Sequence, residues 1–457
     1  MSGCKNGFSM TGSFALLKQR RFLPLFVTQL LGAFNDNLFK NAMVLFVVYG
    51  VFNDEASETL FSAVATGLFI LPFFLLSALA GQLADTRDKA RIIRIVKFCE
   101  ILIMLVGGAG LVLAWLGFAV HLIAIPLMML ALFAMGIHST FFGPIKYAIL
   151  PQHLKSDEVL AGTGLVEAGT YIAILAGTIL AGIIDVEWAA LGVVLVAAIG
   201  YWTGRKVPPA PPEHEETGID WHIVRSSITL VRGTMHIPRL YLAILSISFF
   251  WTIGAVLFIQ FPPLVKNILH ADKSVASLFL AIFSIGIAIG SVAVNRLLKG
   301  QVSARYSPAS VIVMGVFVVA FYWVCRNWGA APETILLDAA SWASTIAGAR
   351  PLLYDIGGFL GHKEVIPLLA SLLGIAISGG MFVVPLYAFL TTTVPKDQTA
   401  RTVAANNIVN SGAMVGGSLL ALGLSIFGVG VVDQLLMSAA MCLVSAWLAQ
   451  KLHRACD

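Results

Sequence analysis

Charge is what this chain has least of. Asp, Glu, Lys and Arg make up 12% of its 457 residues, where a soluble domain carries roughly 25%. Hydrophobic residues make up 58%, so a water-soluble globule is excluded. Cysteine is scarce too. The five (Cys4, Cys99, Cys325, Cys442, Cys456) show neither metal-ligand spacing nor a pairing pattern, so no metal centre is expected. No Gly-rich loop ends in Lys-Ser or Lys-Thr, which leaves ATP without its usual site. No His is followed by Asp five residues later, the spacing of an acyltransferase active site, and no other nucleophile constellation is present. Neither an enzyme nor a cofactor is expected. Ser2-Gly3-Cys4 lacks the preceding apolar stretch of a lipoprotein signal, and no cleavable leader is visible.

Apolar length is what the chain has in abundance. Twelve stretches fall at about 22–50, 60–82, 92–116, 120–150, 160–184, 188–204, 240–262, 275–298, 308–326, 364–392, 402–427 and 429–450. Each is near the roughly 20 residues needed to cross a bilayer core. The expectation is an all-α membrane protein of twelve transmembrane helices. Of 29 basic residues, 21 fall on one side if both termini are cytoplasmic, as the positive-inside rule requires. Lys266, Lys273, Arg326, Arg350 and Lys363 then fall outside, and Lys40, Lys97 and Lys146 within spans. The net charge of +5 is this topological bias, not a nucleic-acid signal.

The chain divides in the middle. Residues 207–218, VPPAPPEHEETG, read as a stiff polar linker. After it, Trp221, Val224, Ile228, Val231 and Met235 recur at helical spacing, with Arg225, Thr229 and Arg232 opposite. That pattern predicts a helix lying on the cytoplasmic membrane surface, or a packed soluble helix. The expected domains are 1–206, a six-helix bundle; 207–238, the linker and its helix; and 239–457, a second six-helix bundle. Distant repeats support the division. Gly169 and Gly412 lie in matching contexts at an offset of 243, Pro144 and Pro385 at 241, and Gly81 and Gly290 at 209. The jump in offset matches an insert at 327–363, where Ile335, Ala339, Trp342 and Ile346 share a helical face. Two parallel six-helix repeats are the plan of the major facilitator fold.

Polar residues inside the spans mark candidate sites. Asp36 lies about 14 residues into the first span, roughly 21 Å deep, at a cost of about 2.5–3.5 kcal/mol on insertion scales. Lys40 follows one turn later and can pair with it. Asn35 and Asn37 flank the carboxylate. Glu167, in span five, has no charge partner in its own helix. His138 precedes Gly143-Pro144, and the proline is expected to kink span four and free carbonyls for a polar lining. Asn406, Asn407 and Asn410 make a polar stripe in span eleven. Together Asn35, Asp36, Asn37, Lys40, His138, Glu167, Asn406 and Asn410 are the expected substrate or ion site. Asp36–Lys40 also reads as a structural pair, His138 as a packing residue, and Glu167 as a hydrogen-bonded gate. Lys97 and Glu100, one turn apart, read as a local structural pair just past the inner surface. Gly286/Gly290 and Gly412/Gly416 suit close helix packing.

Between spans two and three lies Gly81-Gln82-Leu83-Ala84-Asp85-Thr86-Arg87-Asp88-Lys89-Ala90-Arg91. This resembles the loop signature of the major facilitator superfamily. Gly81 permits close helix approach, and Asp85 can receive donors from a helix end or a basic side chain. Arg87 and Arg91 can hold phosphates or acidic groups. Lys146, near the inner end of span four, can meet Asp85 or snorkel to headgroups. These five residues form the expected conformational gate.

Further words narrow the likeness. Gly32-Ala33-Phe34-Asn35-Asp36-Asn37, Gly143-Pro144-Ile145-Lys146-Tyr147, Gly164-Leu165-Val166-Glu167-Ala168 and Gly380-Met381-Phe382-Val383-Val384-Pro385-Leu386 resemble the bacterial lysophospholipid transporter family. The likeness covers most of the chain and is dense in the first half; the insert 327–363 departs from it. It implies a monomer working by alternating access in the bacterial inner membrane. Such a monomer flips lysophosphatidylethanolamine or lysophosphatidylglycerol from outer to inner leaflet for re-acylation. Some members are fused to an acyltransferase; here that partner is expected to be a separate protein. Two other readings stay open: a drug or small-solute proton antiporter of the same superfamily, and a non-transporting membrane anchor for an acyltransferase.

Overall fold

The computed structural model describes residues 16–155, 158–211, 219–298, 303–329, 353–392 and 399–456. Twelve long helices account for most of them: α1 Leu23–Gly50, α2 Glu55–Thr86, α3 Lys89–Trp115, α4 Ile125–Ala148, α5 Val159–Ile183, α6 Val186–Gly204, α7 Pro238–Asn267, α8 Lys273–Leu297, α9 Ser307–Arg326, α10 Val365–Thr392, α11 Thr399–Ile426 and α12 Val431–Cys456. Ten helical segments among the described residues are long and apolar enough to cross a membrane. α1 is outside that set because Asn35, Asp36, Asn37 and Lys40 dilute its apolar run. Only the Ile172–Ile183 part of α5 registers, as a shorter apolar helix. Helices dominate because hydrocarbon leaves no water for unpaired backbone groups.

Prolines sit inside these helices at Pro72, Pro144, Pro262, Pro263 and Pro385 without ending them, as neighbouring helices permit in a membrane. Asp88 starts α3, and its carboxylate accepts from the backbone N–H groups of Ala90 and Arg91. The same carboxylate accepts from Ala210 N at 3.1 Å, which ties the start of the linker to this turn. α4 is entered through a short π-helical turn, Val120–Ala124, with Ala119 left-handed at φ 44°. Neither that turn nor the short helix Leu150–His153 is legible in the hydrophobic pattern.

Contacts group the chain into two compact units. The first holds Met1–Lys40, Leu75–Thr178 and Ile184–Ser226; the second holds Asn41–Phe74, Ile179–Ile183 and Ser227–Asp457. In the first, α3 packs on α4 and α6. In the second, α10 packs on α8 and α9, and α7 on α11 and α12. The α8–α10 seam depends on glycine: a Cβ at Gly290 would lie 1.9 Å from Ile377 O. Small residues allow such approach where helices have no hydrophobic drive to associate.

The helix expected after the linker is Ile223–Met235. Trp221, Val224 and Ile228 are exposed on its apolar side, while Val231 and Met235 are half-buried. The helical face expected at Ile335, Ala339, Trp342 and Ile346 lies outside the described residues.

Candidate functional site

α1 carries the centre of the site. Asp36 stands 13 residues after the helix start at Leu23, about 20 Å along the axis. Its Oδ2 accepts a 2.5 Å hydrogen bond from Ser139 Oγ of α4. Its Oδ1 is buried and accepts none among the described residues. Lys40, one turn on, is half-buried and interacts electrostatically with Asp36. Asn37 turns back on its own helix, donating to Ala33 O at 2.9 Å.

Asn35 points into a second, connected group. It is buried and donates from Nδ2 to Glu100 Oε1 at 3.0 Å. Glu100 Oε2 receives Lys97 Nζ at 2.6 Å. His138 Nε2 lies 3.2 Å from the same oxygen, an ion-pair distance without hydrogen-bond alignment. His138 Nδ1 lies 3.4 Å from Ser139 Oγ, and Ser139 returns the path to Asp36. One polar chain thus runs Lys97–Glu100–His138–Ser139–Asp36 across α3, α4 and α1, all within the first unit.

Lys97 and Glu100 pair as expected. Glu100 is 11 residues into α3, roughly 16 Å along it, and both side chains are buried. Lys97 reaches across to α1 and α6, where a Cβ at Gly32 would fall 2.5 Å from Nζ. Its ammonium lies 5.0 Å from the Phe142 ring centroid, a favourable cation–π placement, and Phe142 stacks on His138. A buried ion pair is tolerable only when its remaining groups are also satisfied. Asn35 donates to the second carboxylate oxygen, and the Phe142 ring faces the ammonium. Sequence reasoning missed Ser139 altogether. No sequence signal marks it, because a lone serine in an apolar helix usually bonds its own backbone.

The second unit holds Asn406 and Asn410 of α11 in a different cluster. Asn410 accepts from Ser248 Oγ at 2.6 Å and donates to Tyr387 OH at 3.4 Å. Tyr387 OH also accepts from Trp251 Nε1 at 2.7 Å. Asn406 is fully buried, whereas Asn407 is exposed on another side of α11.

The side chains of Glu167 and Asp85 lie outside the described residues. Of the other gate candidates, a Cβ at Gly81 would meet nothing within 4 Å, so the close approach expected there is not made in this structure. Arg87 and Arg91 are both exposed. Lys146 donates to Thr170 Oγ1 of α5 at 3.5 Å, and Thr170 bonds Gln29 Oε1 of α1 at 2.8 Å. Nearby, Arg21 forks onto Glu158 at 2.7 and 2.9 Å. Lys155 N–H and then Arg21 hold the Glu158 carboxyl below its ordinary pKa. Among the described residues, no group of His, Cys, Asp and Glu can hold a metal ion.

Ten helical segments among the described residues that are long and apolar enough to cross a membrane make this a multi-pass membrane protein. The chain belongs to the Major Facilitator Superfamily, whose family model matches residues 25–417. It is similar to a protein named lysophospholipid transporter LplT from Cronobacter sakazakii (strain ATCC BAA-894), 24% identical over 452 residues, 94% of this chain and 96% of that one. The Escherichia coli (strain K12 / DH10B) protein of the same name is likewise 24% identical, over 93% and 95%. Among solved structures, a D-xylose–proton symporter superposes with a TM-score of 0.64 at 13% identity, covering 97% of this chain and 98% of that chain. That likeness concerns the fold.

Proposed function

We propose that this chain moves lysophospholipids, lysophosphatidylethanolamine or lysophosphatidylglycerol, from the outer to the inner leaflet of the bacterial inner membrane. It works as a monomer by alternating access, with both termini cytoplasmic and with the repeats 1–206 and 239–457 joined by the linker 207–238. The returned lipid is re-acylated by an acyltransferase. One observation carries the reading: in mid-helix, Asp36 keeps a buried oxygen without a hydrogen bond among the described residues, one helical turn from Lys40. A headgroup amine suits that oxygen and a phosphate suits Lys40. The names of the relatives, matched over nearly their whole length, support the same substrate class.

The parts divide as follows. Asn35 and Asn37 frame Asp36. His138 and Ser139 orient its second oxygen, with Glu100 and Lys97 bracing His138. Glu167 in the first unit, and Asn406 and Asn410 in the second, are the further residues proposed to bind substrate or ion. Gly81, Asp85, Arg87, Arg91 and Lys146 form the gate. One acyl chain stays in lipid while the head slides past the charges, so a second chain is excluded by volume.

Reconstitution into liposomes with labelled lysophosphatidylethanolamine and a diacyl control tests the proposal. Flipping of the single-chain lipid alone is expected. Equal flipping of both, or of neither while dye export proceeds, would replace this reading with a drug antiporter. No flux of any kind with co-purification of an acyltransferase would make the chain an anchor.

A further inference from the structure

Two asparagines one turn apart on α11 stand in opposite states. Asn410 is paired at both ends: its Oδ1 takes the Ser248 hydroxyl and its Nδ2 reaches Tyr387 OH. Asn406 is 0% exposed, and among the described residues neither its Oδ1 nor its Nδ2 has a hydrogen-bond partner. Exchanging the amide oxygen and nitrogen does not cure this, because both ends are unpaired; a misassigned flip is therefore no explanation. An amide left unpaired in a dry interior is costly and rare, and each case calls for a physical reason. A folding role supplies none here, since a leucine would fill the same volume without the penalty.

The missing partner must accept from an N–H and donate to a carbonyl within one side chain's reach. A hydroxyl does both through a single atom, and so does water. A phosphate or an ester only accepts, and an ammonium only donates. One turn along α11, Trp251, Tyr387 and Ser248 hold Asn410 in place. Trp251 and Tyr387 are half-buried, so this cluster reaches the surface of the second unit.

We infer that Asn406 is the residue that reads the free glycerol hydroxyl of a single-chain lipid. The inference rests on the proposed lysophospholipid substrate and adds a chemical basis for its selection. That hydroxyl is what a lysophospholipid has and a diacyl lipid has lost to an ester. An acyl ester there leaves the Asn406 carbonyl without a donor. Sites built to hydrogen-bond a substrate hydroxyl reject analogues lacking it far more strongly than apolar pockets reject an extra methylene. Discrimination against diacyl lipids then has two sources, volume in the apolar path and this hydrogen bond.

The test uses full-length protein in liposomes and three substrates: lysophosphatidylethanolamine, its 2-deoxy analogue and its 2-O-methyl ether. All three have one chain and nearly equal volume, so size plays no part. Wild type is expected to move the hydroxyl compound about tenfold or more faster than either analogue, as one unmade hydrogen bond to a buried amide implies. Asn406→Leu is expected to bring both ratios near one, by slowing the hydroxyl compound and not the analogues. The variant should fold, because it removes unpaired buried atoms and creates none, and its melting temperature should not fall. Asn406→Ser, which keeps a donor and an acceptor on a shorter arm, should retain part of the preference. A folded Asn406→Leu protein with the wild-type ratios overturns the inference and leaves the substrate reading standing. A wild type that moves none of the three removes the substrate reading, and the inference with it.

Discussion

Asp36 is the residue on which transport is expected to depend most directly. Asp36→Asn keeps the shape and the Ser139 contact but removes the charge that a headgroup amine would meet. It should insert and fold normally while uptake falls at least about tenfold, which corresponds to 1.4 kcal/mol. Uptake at the wild-type rate by a well-folded variant would take Asp36 out of the site. Glu100 makes a different prediction, because it holds three groups at once: Asn35, Lys97 and His138. Glu100→Gln leaves the Lys97 ammonium buried without its carboxylate, a change worth about 3–5 kcal/mol of stability. Lys97→Met in the same protein should recover part of that loss, read by thermal unfolding in detergent, whereas an additive double mutant would mean the pair is not coupled. Legibility differs among these residues for a physical reason. A carboxylate inside a 28-residue apolar helix stands out in any sequence. Lys97 and Glu100 announce their own pairing by spacing, but their depth and their link to His138 depend on how α3 meets α4. Ser139 carries no signal, since a membrane serine usually bonds its own helix, as Thr140 does with Gly136 O.

At the scale of elements, the turn between α1 and α2 is held by charge rather than by apolar packing alone. Lys266 at the end of α7 donates to Val48 O and Phe52 O at 2.7 Å each and pairs with Glu58, which also binds Asn267. Glu55 accepts from Val431 N at the start of α12. All of these lie in the second unit. Lys266→Met would strand Glu58, which is 0% exposed, and should lower stability by about 3–5 kcal/mol. It should also speed labelling of a cysteine introduced at Phe52. Unchanged labelling with unchanged stability would show that the cluster holds nothing together. The sequence marks Glu58 only as an acidic loop residue and Lys266 as an outer cation, because the two lie 208 residues apart. Helix identity is legible throughout, since apolar runs of this length have no other stable form in a membrane. Helix ends are less so. α2 continues to Thr86 and α7 to Asn267, past the apolar runs expected to stop at 82 and 262, because polar termini extend a helix wherever a cap or partner receives them.

Across the whole molecule, the internal repeat turns isolated contacts into related ones. The offset of 243 that aligns Gly169 with Gly412 puts Asn410 at the register of Glu167. The offset of 241 that aligns Pro144 with Pro385 puts Tyr387 at the register of Lys146. In the second unit Tyr387 and Asn410 touch; in the first, Lys146 reaches Thr170, one turn beyond Glu167, and through it Gln29 of α1. The same trio of helices is stitched in each half: α1, α4 and α5 by charged and polar groups, α7, α10 and α11 by neutral ones. If the halves are true structural repeats, the charged chemistry should be transferable. Asn410→Glu alone buries a carboxylate beside Ser248 and a neutral phenol, and expression and melting temperature should drop. Tyr387→Lys added to it places an ammonium on the helix and at the register where the first half carries Lys146. The double variant should recover part of the loss, though not all, because Trp251 Nε1 then has no acceptor. Recovery in the double variant supports equivalent packing of the two halves. A double variant less stable than Asn410→Glu alone would show that the sequence offsets do not reflect equivalent positions.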